Sequence, residues 1–332
     1  MVGSPAKVGR TTILNYMSRI IFMGTPEFAV PSLVALAAQP EFKIVAVVTQ
    51  PDAQAGRGKH LTQSPVKQWA VGQGLPVLQP PSLKPPEVLE QLRAYQSDVI
   101  VVAAFGQILR RTVLEMPPHG CVNVHGSLLP RWRGASPVSA AIAAGDATTG
   151  ITIMRMDVGL DSGPMLSARA ETIHSDDTAG SLLARLAHVG AALLVETLPR
   201  YLRGEIAPQP QDESQVTLCR QIKKEEGRIN WQGSATELDR HVRAMLPWPG
   251  AFTLLHGKLL KIGRVRVTEV SEMSGVSEVS VGQVRVEHGT VCVQCRTGTV
   301  QLIDVQPEGK KMMSAADFAR GQQGLDGVVL GA

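Results

Sequence analysis

The segment Cys121–Pro137, CVNVHGSLLPRWRGASP, places an asparagine and a histidine two residues apart near the end of an apolar, strand-like run. Side chains alternate along a strand, so Asn123 and His125 face the same side of a sheet. The run then enters a turn rich in Gly, Pro and Arg, so an amide and an imidazole meet at the mouth of the sheet. The imidazole can take or give a proton near neutral pH, and the amide can donate to a developing oxyanion. A carboxylate partner comes from MDVGLDSGP, which carries Asp157 and Asp161, the latter in a Gly-flanked turn before another apolar segment. No Ser or Cys stands out as a covalent nucleophile. Together these groups suit direct attack of an amine on an acyl carbon. On spacing alone, a structural strand-end histidine is the competing reading of His125.

The surrounding elements must position these groups. RIIFMG (19–24), FKIVAVVTQ (42–50), LPVLQP and DVIVVAAFG (98–106) read as strands. VPSLVALAAQ, SPVKQWAVGQ, PPEVLEQLRAYQ and ILRRTVLEM read as helices between or after them. After the Asn/His strand come a helix, SPVSAAIAAG, two strands, GITIMRMD and GPMLSARAET, and a long amphipathic helix, TAGSLLARLAHVGAALLVETLPRYLRG. The alternation predicts a doubly wound, mainly parallel, Rossmann-like α/β sheet. Ligands on such sheets lie outside the carboxyl ends of the strands, here MGTP, TQPD, AAFGQ and NVHGS. PQPQDES (208–214) reads as a linker, and the short Gly-separated strands beyond it predict a small OB-like β-barrel. The expected organisation is an N-terminal extension over 1–18, a catalytic domain over 19–207, a linker over 208–222 and an OB-like domain over 223–332. There is no dinucleotide-binding fingerprint and no Walker A motif, which disfavours an oxidoreductase or a P-loop enzyme.

A chain of 332 residues is long enough for two domains. With 44% hydrophobic and 19% charged residues it has the balance of a soluble protein. A net charge of +4 permits an anionic partner without demanding one. No apolar run reaches about 18 residues, so no membrane span is expected. The four cysteines, Cys121, Cys219, Cys292 and Cys295, are sparse and fit a reducing, cytoplasmic setting. Cys292 and Cys295 form a C-x-x-C on a strand-like run; packing outweighs a zinc site with Cys219 and His288, and no metal is expected. Residues 1–18 carry Lys7 and Arg10 but no acid, and read as a disordered extension, with Met17 an alternative start.

NVHGSLLPRWRGASP followed by DVGLDSGP resembles the signature of the 10-formyltetrahydrofolate-dependent formyltransferases. RIIFMGTPEFAVPSL, TQPD, AGRGK, SPVKQWA and DVQPEGKKMMSAADFARG narrow the resemblance to members acting on a charged tRNA; together these motifs span most of the chain. The resemblance implies formyl transfer from 10-formyltetrahydrofolate to the α-amino group of methionyl initiator tRNA. It places the catalytic roles on Asn123, His125 and Asp161, with the first two stabilising the oxyanion and Asp161 tuning His125 and helping the amine lose its proton. It assigns folate contacts to Ser127, Leu128, Leu129 and Pro130, and a pterin-pocket wall to Phe105 and Gly106. It assigns tRNA contacts to Arg57 and Lys59 of AGRGK and to Lys224 of the segment joining the domains. Lys258, Lys261, Arg264 and Arg266 form an acid-free basic run that could track a phosphate backbone or simply face solvent, and Lys310 and Lys311 sit in a family-like motif. A monomer without membrane attachment is expected. The alternatives are a formyltransferase acting on another amine, such as a sugar nucleotide or a purine precursor, and a non-catalytic folate- or RNA-binding module.

Overall fold

The computed structural model describes residues 17–55, 60–268 and 280–331. The chain forms two compact units, Met1–Val122 and Asn123–Ala332.

The first unit is a parallel α/β sheet. Its elements are β1 (Ser18–Gly24), α1 (Val30–Ala37), β2 (Phe42–Val48), β3 (Ala53–Ala55), β4 (His60–Thr62), α2 (Pro65–Gly72), β5 (Val77–Leu78), α3 (Pro86–Ala94), β6 (Val99–Ala103) and α4 (Arg111–Leu114). β1 pairs in parallel with β2 on one side and β6 on the other, and β2 pairs in parallel with β5. Ile20, Ile21, Phe22, Val99, Ile100 and Val101 are fully buried. These strands are covered on both faces, which is why they read as continuous apolar runs. Two elements are shorter than their sequence pattern. The LPVLQP strand pairs over only Val77 and Leu78, between Pro76 and Pro80, because proline has no N–H to extend a ladder. ILRRTVLEM forms helix only over Arg111–Leu114, and Ile108 is almost fully exposed. α2 starts cleanly, with the Ser64 hydroxyl accepting the Lys67 N–H at 3.1 Å and Pro65 at the first helical position.

The second unit opens inside β7 (Cys121–His125), which lies in the sheet beside β9 (Thr148–Arg155). β9 pairs antiparallel with β10 (Met165–Thr172). Between β7 and β9 in sequence lie β8 (Arg133–Gly134) and α5 (Pro137–Ala144). The long helix α6 (Ala179–Leu202) buries Leu182, Leu186, Leu193, Leu194 and Leu198, and packs on β9 and β10. It crosses close to β7: a Cβ added at Gly190 would stand 2.9 Å from Val124 Cγ1. α6 is long and apolar enough by length and composition alone to cross a bilayer, a test that core helices also pass, and half of its most apolar stretch is buried in the protein.

The stretch read as a linker is packed into the structure. Gln209 bridges to Met165, and Gln211 is buried. β11 (Leu218–Cys219) pairs in parallel with β8. Beyond it come α7 (Ala235–Ala244), β12 (Ala251–Leu255), β13 (Lys258–Thr268), β14 (Val284–Glu287), β15 (Thr290–Gln294), β16 (Thr299–Pro307), β17 (Met313–Ser314) and α8 (Ala315–Gly321). The antiparallel sheet runs β12-β13-β16-β15-β14, with β17 on β16. Its two edges are joined by the C-terminal segment: Leu330 N–H donates to Gly282 and Gly331 N–H to Leu254. That segment satisfies backbone groups the edge strands would otherwise leave open. α5 packs on α7, linking the α/β layer to this sheet.

Candidate active site

The buried strand β7 delivers Asn123 and His125, which are 9% and 5% exposed. Among the described residues the Asn123 side chain makes no hydrogen bond, although it is nine-tenths buried. Among the described residues the fully buried side-chain polar atoms without a partner are Ser32 Oγ, Thr149 Oγ1 and His241 Nε2, so the Asn123 amide keeps access to the surface and is open to a ligand oxygen. His125 Nε2 lies 3.0 Å from the Trp132 carbonyl. A carbonyl only accepts, so Nε2 carries a proton and Nδ1 is left to face Asp161. Nδ1 stands 3.7 Å from Asp161 Oδ2, within ion-pair range but too long for a hydrogen bond.

Asp161 projects from the loop between β9 and β10 with φ of 47°, an uncommon conformation for a residue with a side chain. Its Oδ2 accepts the Gly134 N–H at 2.9 Å. Gly134 has φ of 123°, and an added Cβ would fall 1.9 Å from the Cys219 carbonyl oxygen, so only glycine can present that N–H there. Gln211 Nε2 donates to the carbonyls of Asp161 (2.8 Å) and Gly163 (2.7 Å), and Gln211 Oε1 accepts from Arg133 Nε at 2.9 Å. The Arg133 guanidinium then grips Glu213 with two nitrogens.

Trp132, whose carbonyl orients His125, also has a positive φ, 60°. Its backbone N–H donates to Thr217 Oγ1 at 2.8 Å and its indole N–H to Asp146 Oδ2 at 2.8 Å. Arg131 stacks 4.7 Å above the ring and pairs with Asp146. The loop Ser127–Pro130 follows β7 directly. Ser127 Oγ donates to the Arg131 carbonyl at 2.6 Å, and Thr152 Oγ1 ties the Ser127 carbonyl to the Leu129 N–H. Leu128 and Pro130 are half-buried and Leu129 is buried.

The structure therefore brings Asn123, His125, Asp161 and Ser127–Pro130 together in the second unit. Phe105 and Gly106 lie in the first unit, just after β6. The Phe105 carbonyl accepts from Thr25 Oγ1 (2.9 Å) and Gln50 Nε2 (3.2 Å), its ring is buried, and Gly106 is exposed with φ of 88°. β3 pairs antiparallel with β4, and Arg57 and Lys59, which fall between them in sequence, lie outside the described residues. Just before β3, Lys67 and Gln79 grip Asp52, holding that carboxyl below its ordinary range. Lys224 is exposed at the start of a short 3-10 turn. In the basic run Arg264 is not free of acid: Asp304, across the ladder on β16, pairs with it at 2.9 Å.

Among the described residues no three His, Cys, Asp or Glu side chains group as metal ligands. Burial pushes the Cys121 thiol up to about 12, so the cysteine that begins β7 is a packing residue, and burial raises Cys219 as well. Sequence reasoning missed Trp132, Gly134, Arg133, Gln211 and Thr217. Trp132, Arg133 and Gly134 carried a signal, since all three lie within the PRWRG turn; Gln211 and Thr217 did not.

Residues 18–198 match the formyl transferase domain and residues 221–323 the formyl transferase C-terminal domain. A methionyl-tRNA formyltransferase of Myxococcus xanthus is 50% identical over 305 residues, covering 92% of this chain and 95% of the relative. One from Chloroflexus aggregans is 48% identical over 303 residues, covering 91% and 97%. In fold, the chain resembles the N-formyltransferase of Helicobacter canadensis, solved with folinic acid and dTDP-3-aminofucose, with a TM-score of 0.65 at 18% identity over 88% of this chain and 100% of that one. The chain belongs to the formyltransferase family, alongside the methionyl-tRNA formyltransferases that match it over nearly their whole length.

Proposed function

We propose that the chain transfers the formyl group of 10-formyltetrahydrofolate to the α-amino group of methionyl initiator tRNA, with Asn123, His125 and Asp161 as the catalytic residues. The observation that carries the chemistry is an Asn123 side chain that makes no hydrogen bond among the described residues, on a residue nine-tenths buried, beside a His125–Asp161 pair set 3.7 Å apart. The likeness to methionyl-tRNA formyltransferases over nearly their full length supports the choice of acceptor.

The amine nitrogen attacks the formyl carbon, the carbonyl oxygen gains negative charge, and the bond from that carbon to the folate nitrogen breaks. The Asn123 amide donates to the oxyanion, as preorganised donors do in acyl transfer. Nε2 of His125 is committed to Trp132, so Nδ1 is the nitrogen that moves a proton. Asp161 faces that nitrogen and steadies positive charge on the ring while the amine loses its proton. The proton finally resides on the departing folate nitrogen, which completes the balance. Ser127–Pro130, Phe105 and Gly106 are the proposed folate contacts. Residues 19–207 would carry the chemistry and 223–332 would hold tRNA, in a monomeric, cytoplasmic enzyme.

Arg57, Lys59 and Lys224 are the proposed tRNA contacts. A guanidinium holds a phosphate through two parallel hydrogen bonds that an ammonium cannot copy. Arg57→Ala should therefore sharply raise the KM for charged tRNA, Arg57→Lys should restore it only in part, and folate binding should not change. The salt dependence of tRNA binding should become shallower by about one phosphate contact. The deciding experiment compares formyl transfer to charged initiator tRNA, free methionine and an amino-sugar nucleotide. Preference for the amino-sugar nucleotide would replace the proposed acceptor.

A further inference from the structure

We propose that Gln211 is a positioning residue of the transfer reaction, a role that rests on the functional reading above. It sets the Asp161 loop against His125 from a stretch of chain that composition marks as a connector. Its amide is used completely. One hydrogen of Nε2 goes to the Asp161 carbonyl at 2.8 Å and the other to the Gly163 carbonyl at 2.7 Å, while Oε1 accepts from Arg133 Nε at 2.9 Å. The opposite amide orientation would aim an oxygen at two carbonyl oxygens, so the partners fix the side chain in one pose. Gln211 is buried, so its removal takes two donors from these carbonyls and the acceptor from Arg133.

The same stretch also references the other half of the pair. Thr217 takes the Trp132 N–H on its hydroxyl and the Arg133 N–H on its carbonyl, and the Ala135 N–H donates to Cys219. Trp132 offers its carbonyl to His125, and Gly134 offers its N–H to Asp161. Residues 211–219 thus clamp the three residues, Trp132 to Gly134, against which both His125 and Asp161 are set. Asp161 itself holds a left-handed backbone conformation in a loop where Val158, Gly159 and Leu160 are exposed. Nothing within that loop supplies the two donors its carbonyls receive from Gln211. Catalysis is sensitive to displacements of about 1 Å, which can cost on the order of 10²-fold in rate.

The test is steady-state formyl transfer from 10-formyltetrahydrofolate to charged initiator tRNA by the full-length protein, with Asp161→Asn as the reference. Gln211→Ala should lower kcat by about tenfold or more and leave both KM values within about threefold. Gln211→Glu keeps the size and the Arg133 acceptor but turns an oxygen toward the two carbonyls, and it should fall as far; it carries the test if the alanine variant does not fold. Because Gln211 acts through Asp161, adding Gln211→Ala to Asp161→Asn should cost no more than about twofold beyond Asp161→Asn alone. A purely structural residue would lose activity multiplicatively in that cycle. Wild-type kcat in the Gln211 variants beside a crippled Asp161→Asn, or fully multiplicative losses, would overturn the role of Gln211 alone. Failure of the wild-type protein to formylate charged tRNA would overturn the functional reading and this inference with it.

Discussion

Two aspartates of the second unit face a basic side chain, and their surroundings are opposite. Asp177, buried before α6, is saturated: it accepts the His174 N–H (2.8 Å), the Ser181 hydroxyl (2.9 Å) and Arg185 Nη1 (2.9 Å) and Nη2 (2.6 Å). Asp161 accepts one backbone N–H and meets its histidine at 3.7 Å, and among the described residues its Oδ1 has no hydrogen-bond partner. One carboxylate has spent its acceptors on the fold; the other is held by its backbone and left with capacity for a reacting proton. A satisfied ion pair stabilises a structure, and a slack one beside a free amide can do chemistry.

The largest effect that could break this comparison is in turnover. Asp161→Asn and His125→Ala should each lower kcat by about 10²-fold or more. The unfolding free energy of Asp161→Asn in urea should stay within about 1 kcal/mol of wild type, since the fold leaves that carboxylate unsaturated. Asp177→Asn should do the reverse, with kcat per folded molecule within about twofold and stability lower by about 2 kcal/mol. A large loss of turnover in Asp177→Asn, or an unfolded Asp161→Asn, would erase the distinction.

The pH dependence of stability sharpens it. The Arg185 guanidinium, outweighing burial and helped by the His174 N–H and the Ser181 hydroxyl, holds the Asp177 carboxyl far below its ordinary value of 3.8. A depressed folded-state value means stability that is fully present above the unfolded value and lost as pH falls toward the folded one. The stability gap between wild type and Asp177→Asn should therefore be constant from about pH 7 to about pH 5 and shrink below about pH 4. Urea titrations at three pH values read this directly, and a gap that widens on acidification would refute the assignment.

How far the sequence foretold these two sites depends on how local their parts are. Asn123 and His125 were legible because alternation on one strand puts them on one face, and Asp161 because its Gly-flanked turn stands before a strand. The parallel sheet was legible from continuous apolar runs such as VIVVA in β6. The supports were not. Gln211 reaches back 50 residues to Asp161 and 78 to Arg133, and β8 pairs with β11 over two residues only. A ladder that short leaves no periodicity, and a Pro/Gln-rich stretch has the composition of a loop even when its side chains are all engaged. The Trp132 carbonyl and Gly134 N–H are backbone groups, which carry no residue signature at all. The Arg264–Asp304 pair was hidden in the same way, by lying across two strands.

Ser181 gives the smallest and finest test. It sits one turn into α6, where its hydroxyl donates to Asp177 Oδ1 and accepts the Thr178 N–H at 3.0 Å, while Thr178 Oγ1 accepts the Ser181 N–H at 3.1 Å. This reciprocal cap satisfies two donors at the helix start. Its hydroxyl also lies 3.1 Å from the Thr178 carbonyl, but one hydrogen serves the charged oxygen better. Ser181→Ala removes half of the cap and one of the four donors to Asp177, and should cost about 1 kcal/mol. Ser181→Thr keeps the hydroxyl and should recover most of it. In the Asp177→Asn background the donation to a carboxylate is already gone, so the further loss from Ser181→Ala should fall to the capping share, about half a kcal/mol. Turnover should stay at the wild-type level in every one of these variants. A full 1 kcal/mol in both backgrounds would mean that Ser181 is only a cap, and that Asp177 is held by arginine and backbone alone.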